Sequence, residues 1–330
     1  MPTFGAKAIP DSNRPASTWL IADIGGTHAR FARLSAGDLQ ETIVLETQSC
    51  ENAIELLHTA LAHLGIGSPS AVLLAVAGPL TPTGITMTKT GLSFVPDTLA
   101  AALGVEVHVV NDFYALAHGV GRFSQLVNLG EQAPEAGGVC GVIGPGSGLG
   151  MASVVSGDRG LVVLGGEGGH AALAPGTHLE AELWALLSSQ VEHVCWETVL
   201  CGPGLVTLYN AVCQVWGGAP RYERAEDISA QAVGVADPVC HQTLETFCAL
   251  LGQAAKGLAL TVGATGGIYI AGGIAPRVVD FVAASPFRRR FEEAGAMRGY
   301  LQIVPTYVVC DANPGLIGAA QCLAQRATID

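Results

Sequence analysis

The 330-residue chain is 49% hydrophobic and 13% charged, and its 28 Asp plus Glu against 16 Lys plus Arg leave a formal net charge of −12. That apolar content excludes a disordered chain, and the acidic balance excludes the basic stripe that nucleic acid or an anionic membrane requires. The length is enough for two lobes with separate cores.

Residues 1–17 carry Pro2, Pro10 and Pro15 without a continuous apolar core, so they read as a flexible N-terminal tail and not as a secretory signal. The nine cysteines form no regular framework, which points to buried free thiols in a reducing cytoplasm and argues against a structural zinc site. Greasy stretches such as 72–78 and 249–274 are broken by glycine and polar residues before they reach membrane-spanning length.

In chain order, 19–22, 29–34 and 42–46 read as three short strands, with Gly37-Asp38 as the second turn. Residues 52–64 have Ala53, Leu56, Leu57, Ala60, Leu61 and Leu64 at helical spacing, and 71–77 is a continuous apolar run of strand length. Pro96-Asp97 starts a helix toward Leu103. The strand over 105–110 then delivers Asn111 and Asp112 to the carboxyl edge of the sheet, where α/β proteins collect ligands. A second strand, glycine turn and strand over 139–155 resembles 19–34 in pattern without matching it residue by residue, so a structural duplication is expected. Helices are expected over 180–188 and 243–262, strands over 268–271 and 304–309, and a terminal helix over 314–325.

Two glycine turns stand out. Asp23-Ile24-Gly25-Gly26-Thr27 closes the first strand, and Gly144-Pro145-Gly146-Ser147-Gly148-Leu149-Gly150 closes the strand over 139–143. Glycine lets successive amides point into one concavity and lets a phosphate approach closely, while Asp23 offers an oxygen to a hydrated magnesium ion. Either turn alone is also an ordinary tight turn.

Asn111-Asp112 follows so apolar a strand that the pair needs a cap, solvent or a ligand. Asp112 could cap a helix over 113–118, or serve as a base accepting a hydroxyl proton during phosphoryl transfer. Gly165-Gly166-Glu167-Gly168-Gly169-His170 places an acceptor and a switchable donor in a loop without bulky side chains, suited to a polyhydroxylated ligand. His170 could equally be structural, and Glu197 no more than a carboxylate at a helix start.

Taken together these segments resemble the bacterial glucokinase family, the hexokinase-like branch of the actin and sugar-kinase superfamily, over nearly everything from Trp19 onward. The resemblance rests on Asp23 to Thr27, Val110-Asn-Asp-Phe113, Gly146 to Gly150, Gly166 to His170, Glu197 before Val199-Leu-Cys-Gly-Pro-Gly204, Ala271-Gly-Gly-Ile-Ala-Pro-Arg277, residues 291–300 and Asn313-Pro-Gly-Leu-Ile-Gly318, all in family order. It implies a two-lobed α/β fold of the actin-like ATPase, ribonuclease H-like type, with mixed sheets flanked by helices and an interlobe cleft. The small lobe would cover 18–121, completed by a C-terminal helix over 313–330, and the large lobe 122–312.

The same resemblance implies ATP-dependent phosphorylation of D-glucose at its 6-hydroxyl, with Asp112 as base and Asn111, Glu167, His170 and Glu197 binding the other hydroxyls. Gly25, Gly26, Thr27, Gly146, Ser147 and Gly148 would hold the phosphates of ATP, Asp23 would orient Mg2+ through water, and Gly272 and Gly273 would lie beside the adenosine. A homodimer is implied as well, while the cysteines, charge and hydropathy read above point to a cytoplasmic protein without nucleic-acid or membrane partners. His28 and Ser147 replace a common Asn and Thr with hydrogen-bonding residues, whereas Thr88-Lys89-Thr90-Gly91-Leu92 departs from a sugar-side loop that commonly reads Thr-Asn followed by Trp. A kinase for another hexose or an amino sugar, and a catalytically silent sugar sensor, are the alternative readings. A nicotinamide dehydrogenase would need Gly-x-Gly-x-x-Gly opening a helix, and Gly146 to Gly150 has neither that spacing nor that context.

Overall fold

The computed structural model describes residues 18–87, 90–158, 160–234 and 236–326. The expected N-terminal tail over 1–17 and Lys89 therefore lie outside the described residues. In order the chain forms β1 (Thr18–Ile24), β2 (His28–Ser35), β3 (Asp38–Glu46), α1 (Ala53–His63), β4 (Ala71–Val76), β5 (Ile85–Thr86), β6 (Ser93–Phe94), α2 (Pro96–Leu103), β7 (Val107–Asn111) and α3 (Asp112–Ala117). It continues with β8 (Leu126–Asn128), β9 (Cys140–Pro145), β10 (Leu149–Gly157), β11 (Gly160–Gly166), α4 (His178–Ser188), α5 (Gly202–Val215), α6 (Ala225–Val233) and α7 (Pro238–Val262). It ends with β12 (Gly267–Ile270), α8 (Val279–Ala284), α9 (Phe287–Glu292), α10 (Arg298–Gln302), β13 (Thr306–Val309) and α11 (Pro314–Arg326).

These elements divide into two compact units. The first holds the described residues up to Ser124, those of 156–165 and those from Asp311 to Arg326, and the second holds those of 125–155 and 166–310. The first sheet runs β3-β2-β1-β4-β7, with β1 antiparallel to β2 and parallel to β4, and β4 parallel to β7. In the middle strand Leu20, Ala22 and Ile24 join the core that α1 and α2 help build, while Ile21 joins Leu73, Ala75, Leu316 and Ala319 on the opposite face. Burial on both faces is why β1 and β4 read as continuous apolar runs rather than alternating ones.

The second sheet runs β11-β10-β9-β12-β13-β8, with β9 antiparallel to β10 and parallel to β12, and β12 parallel to β13. Three meandering strands followed by two parallel ones occur in both sheets, so the duplication expected from the sequence is present at the level of topology.

Several boundaries move for local reasons. The β2–β3 turn is centred on Ala36-Gly37, both at positive φ, rather than on Gly37-Asp38. The long helix begins at Pro238 instead of Thr243, because Asp237 caps it by accepting from the amides of Val239 and Cys240 and Pro238 occupies the first turn. Gly165 and Gly166, expected in a loop, end β11. All nine cysteines are free, seven buried and Cys50 and Cys310 partly exposed.

Candidate active site

The parallel strands of the first unit end together. Strand register aligns Asp23 with Ala75 and Ala75 with Val110, so Asp23 and the Asn111-Asp112 pair leave the same edge of one sheet with β4 between them. Two inter-strand spacings separate β1 from β7, about 10 Å. The turn after β1 is closed by the Gly25 amide donating to the His28 carbonyl at 3.0 Å, and it is braced by Thr47. Thr47 is fully buried, and its hydroxyl donates to the Gly25 carbonyl at 2.7 Å.

Asp23 is half-buried and its carboxylate accepts no hydrogen bond from a described residue. Burial raises its pKa above the ordinary carboxylate value, with Arg30 acting in the opposite direction. Gly315, in the first turn of α11, makes this placement possible. A Cβ there would lie 2.4 Å from Oδ2 and 2.6 Å from Cγ of Asp23, so only glycine leaves the carboxylate its space. The sequence placed Gly315 inside a recognisable motif without giving it a task; a glycine in a helix, costly by propensity, was the available signal.

Asn111, not Asp112, caps α3. Its Oδ1 accepts from the Tyr114 amide at 3.0 Å, and its Nδ2 donates to the Gly78 carbonyl at 3.0 Å. Asp112 is the first residue of the helix, and its Oδ1 accepts from the amide of Phe113 at 2.9 Å. The capping alternative for Asp112 thus falls to its neighbour. Asn111 keeps one amide hydrogen for a ligand after both bonds are made.

In the second unit Gly146, Ser147 and Gly148 link β9 to β10. The Gly146 amide donates to the Gly148 carbonyl at 2.8 Å, and the Gly202 amide donates to the Gly146 carbonyl at 2.8 Å. The segment after β12 lies alongside: the Ala271 amide donates to the Ile143 carbonyl at 2.8 Å. Gly272, at φ +84, packs so tightly that a Cβ would come within 2.5 Å of the Pro145 carbonyl oxygen, while Gly273 has open space around it.

Glu167, Gly168, Gly169 and His170 rest on the start of β10. A Cβ on Gly169 would meet the Leu149 carbonyl oxygen at 2.1 Å, and one on Gly168 the Met151 sulfur at 2.7 Å. His193 Nε2 donates to the His170 carbonyl at 2.9 Å, and Trp196 N–H donates to the Ala171 carbonyl at 3.1 Å, which draws Glu197 toward the same strand. Glu197 Oε2 accepts from the Leu149 amide at 2.7 Å. Within this unit Glu167, His170 and Glu197 therefore gather around the second glycine turn, with Glu167 and His170 exposed. Leu92, one of the departures in the sugar-side loop, is 7% exposed and belongs to the core of the first unit.

Among the described residues no three His, Cys, Asp or Glu side chains group closely enough to hold a metal ion. A cation at Asp23 would need substrate phosphates and water for the rest of its shell, the usual mode of Mg2+, and a carboxylate without a hydrogen-bonded partner suits that use.

A family model described as Glucokinase matches residues 20–326. The chain is 40% identical over 311 residues to the glucokinase of Aromatoleum aromaticum, covering 92% of this chain and 94% of that protein. Among solved structures it resembles the glucokinase of an Antarctic psychrotroph with a TM-score of 0.81 and 35% identity, covering 93% of this chain and 98% of the other. A ROK family glucokinase from Streptomyces griseus, solved with glucose and AMPPNP, shares the fold with a TM-score of 0.64 at 20% identity, over 92% of this chain and 98% of the other. The fold is the two-lobed actin-like ATPase type implied by the sequence motifs.

Proposed function

The chain belongs to the glucokinase family, and from that premise we propose that it transfers the γ-phosphoryl group of ATP to the 6-hydroxyl of D-glucose with Asp112 as general base. The observation that carries this reading is the common edge shared by Asp23 and Asn111-Asp112 at the ends of parallel strands. The two strands that carry them stand about 10 Å apart, a spacing with room for a phosphoryl group between a cation-binding carboxylate and a proton-accepting one.

As the glucose O6 attacks the γ-phosphorus, Asp112 accepts the hydroxyl proton, the new O6–P bond forms, and the bond from the γ-phosphorus to the bridging oxygen breaks to release ADP. Asn111, already fixed by its cap and by Gly78, is held in place for a sugar hydroxyl. Glu167, His170 and Glu197 bind further hydroxyls, each adding selectivity because an inverted hydroxyl leaves a polar partner unsatisfied, at about 1–3 kcal/mol. The Gly25 to Thr27 and Gly146 to Gly148 turns hold phosphates, and the open space at Gly273 accommodates the nucleoside. Asp23 would hold Mg2+ through water, and the ion would supply neutralisation of phosphate charge. ATP as donor and nine free cysteines support a cytoplasmic location, and the family resemblance supports a homodimer, which sedimentation tests.

A coupled ADP-release assay across hexoses and amino sugars tests the substrate. Glucose is expected to give the highest kcat/KM. A higher value for another hexose or an amino sugar would remove glucose from the proposal, since Lys89 and Leu92 sit in the loop that departs from the family pattern.

A further inference from the structure

Glu197 sits where a phosphate-holding turn would be expected to avoid an anion. Its Oε2 takes the Leu149 amide at 2.7 Å and fills the space beside Gly148, where a Cβ would fall 2.5 Å from it. Five residues further on, the Gly202 amide secures the Gly146 carbonyl at 2.8 Å. Cys201 ties the two anchors to each other: its thiol donates to the Glu197 carbonyl at 3.2 Å and its sulfur accepts from the Gly204 amide at 3.2 Å. The turn is thus clamped at both ends by one short ledge, residues 197–204.

The chemistry of the clamp explains the carboxylate. A charge-assisted bond to a backbone amide is stronger than a neutral one, so Glu197 fixes the turn firmly, and it does so through one oxygen. Oε1 accepts no hydrogen bond from a described residue. We propose that Glu197 is a positioning residue for the nucleotide phosphates as well as a sugar ligand, one oxygen bracing the phosphate turn and the other receiving a sugar hydroxyl. Binding of the two substrates is then coupled through a single side chain. This rests on the reading above that the turn holds phosphate and that Glu197 binds sugar.

Steady-state kinetics of the full chain with Mg·ATP and glucose, on Glu197→Ala, Glu197→Asp and Glu197→Gln, test the coupling. Ala removes both bonds, and Asp is one methylene too short for Leu149; each is expected to raise the KM for ATP at saturating glucose about tenfold or more. Gln can still accept the Leu149 amide, so its KM for ATP should return to within about threefold of wild type while its KM for glucose stays raised. A merely structural residue would not give that split. An unchanged KM for ATP in Ala or Asp, with a raised KM for glucose, overturns the inference and leaves the sugar assignment intact. A raised KM for ATP with an unchanged KM for glucose in all three variants also overturns the coupling, and in that case removes Glu197 from the sugar. Should Ala fail to fold, the contrast between Asp and Gln decides alone.

Discussion

The two glycine turns end equivalent strands of two sheets that share a five-strand pattern, yet they treat their carboxylates in opposite ways. Asp23 accepts no hydrogen bond from a described residue and lies against Gly315, and burial pushes its pKa up. Glu197 is hydrogen-bonded to the amide of Leu149. A carboxylate held at a cost in the free protein is suited to receive a cation from its substrate; one with an oxygen already bonded to the backbone is suited to hold geometry. Duplicated architecture therefore does not imply duplicated chemistry, and what the turns do is set by the partner each carboxylate is given.

The largest effect should come from a third carboxylate at the same edge as Asp23. Asp112→Ala is expected to lower kcat by about 10³-fold or more, near 4 kcal/mol of barrier, while calorimetry finds glucose binding within about threefold of wild type. Near-normal turnover would remove Asp112 as the base. Asp23→Asn should cost less in activity, about 10²-fold in kcat/KM for Mg·ATP, and should raise Tm by about 2 °C or more. The sign follows from the raised pKa: the folded state binds this proton more tightly than the unfolded chain, so ionised Asp23 opposes folding at neutral pH, and a neutral amide relieves that. Glu197→Gln, which exchanges a partnered carboxylate, should give no such rise. If both variants, or neither, gain stability, the contrast between the turns fails.

Gly315→Ala comes next. Its methyl group must displace the Asp23 side chain, and the expected result is about a tenfold higher KM for Mg·ATP with KM for glucose little changed. Equal changes in both would point to general damage to the first unit. The smallest effect separates the site from its frame. His118 is 2% exposed, and burial lowers its pKa, aided by Arg326 and opposed by its bond to the Tyr114 carbonyl. The unfolded chain therefore takes up this proton first as pH falls below about 6.5, and stability conferred by neutral His118 is present above that pH and lost below it. Thermal scans from pH 7 to 5 should show Tm falling, with His118→Gln flattening the slope by about 2 °C; an unchanged slope would contradict it.

Much of this was legible in the sequence because the relevant signals are local. The apolar runs of β1 and β4 are buried on both faces and could be read directly, as could Pro96 in the first turn of α2. Strand β11 was missed because Gly165-Gly166 carries the composition of a loop, and α5 because it opens on Gly202-Pro203-Gly204. Asn111 and Asp112 have nearly equal capping preference, so only the backbone decides which of them caps: Asn111, at φ −64 and ψ 145, is still extended. The two contacts that define the turns were out of reach for a different reason. Leu149 and Glu197 are 48 residues apart, and Gly315 meets Asp23 from the far end of the chain, pairings that neither periodicity nor propensity encodes.

The most direct test is phosphorus NMR of the product formed by the purified chain from Mg·ATP and D-glucose. One sugar phosphate is expected, its phosphorus coupled to the two protons on C6, formed in step with ADP. A phosphorus coupled to the anomeric proton, or ADP release without any sugar phosphate, would contradict it.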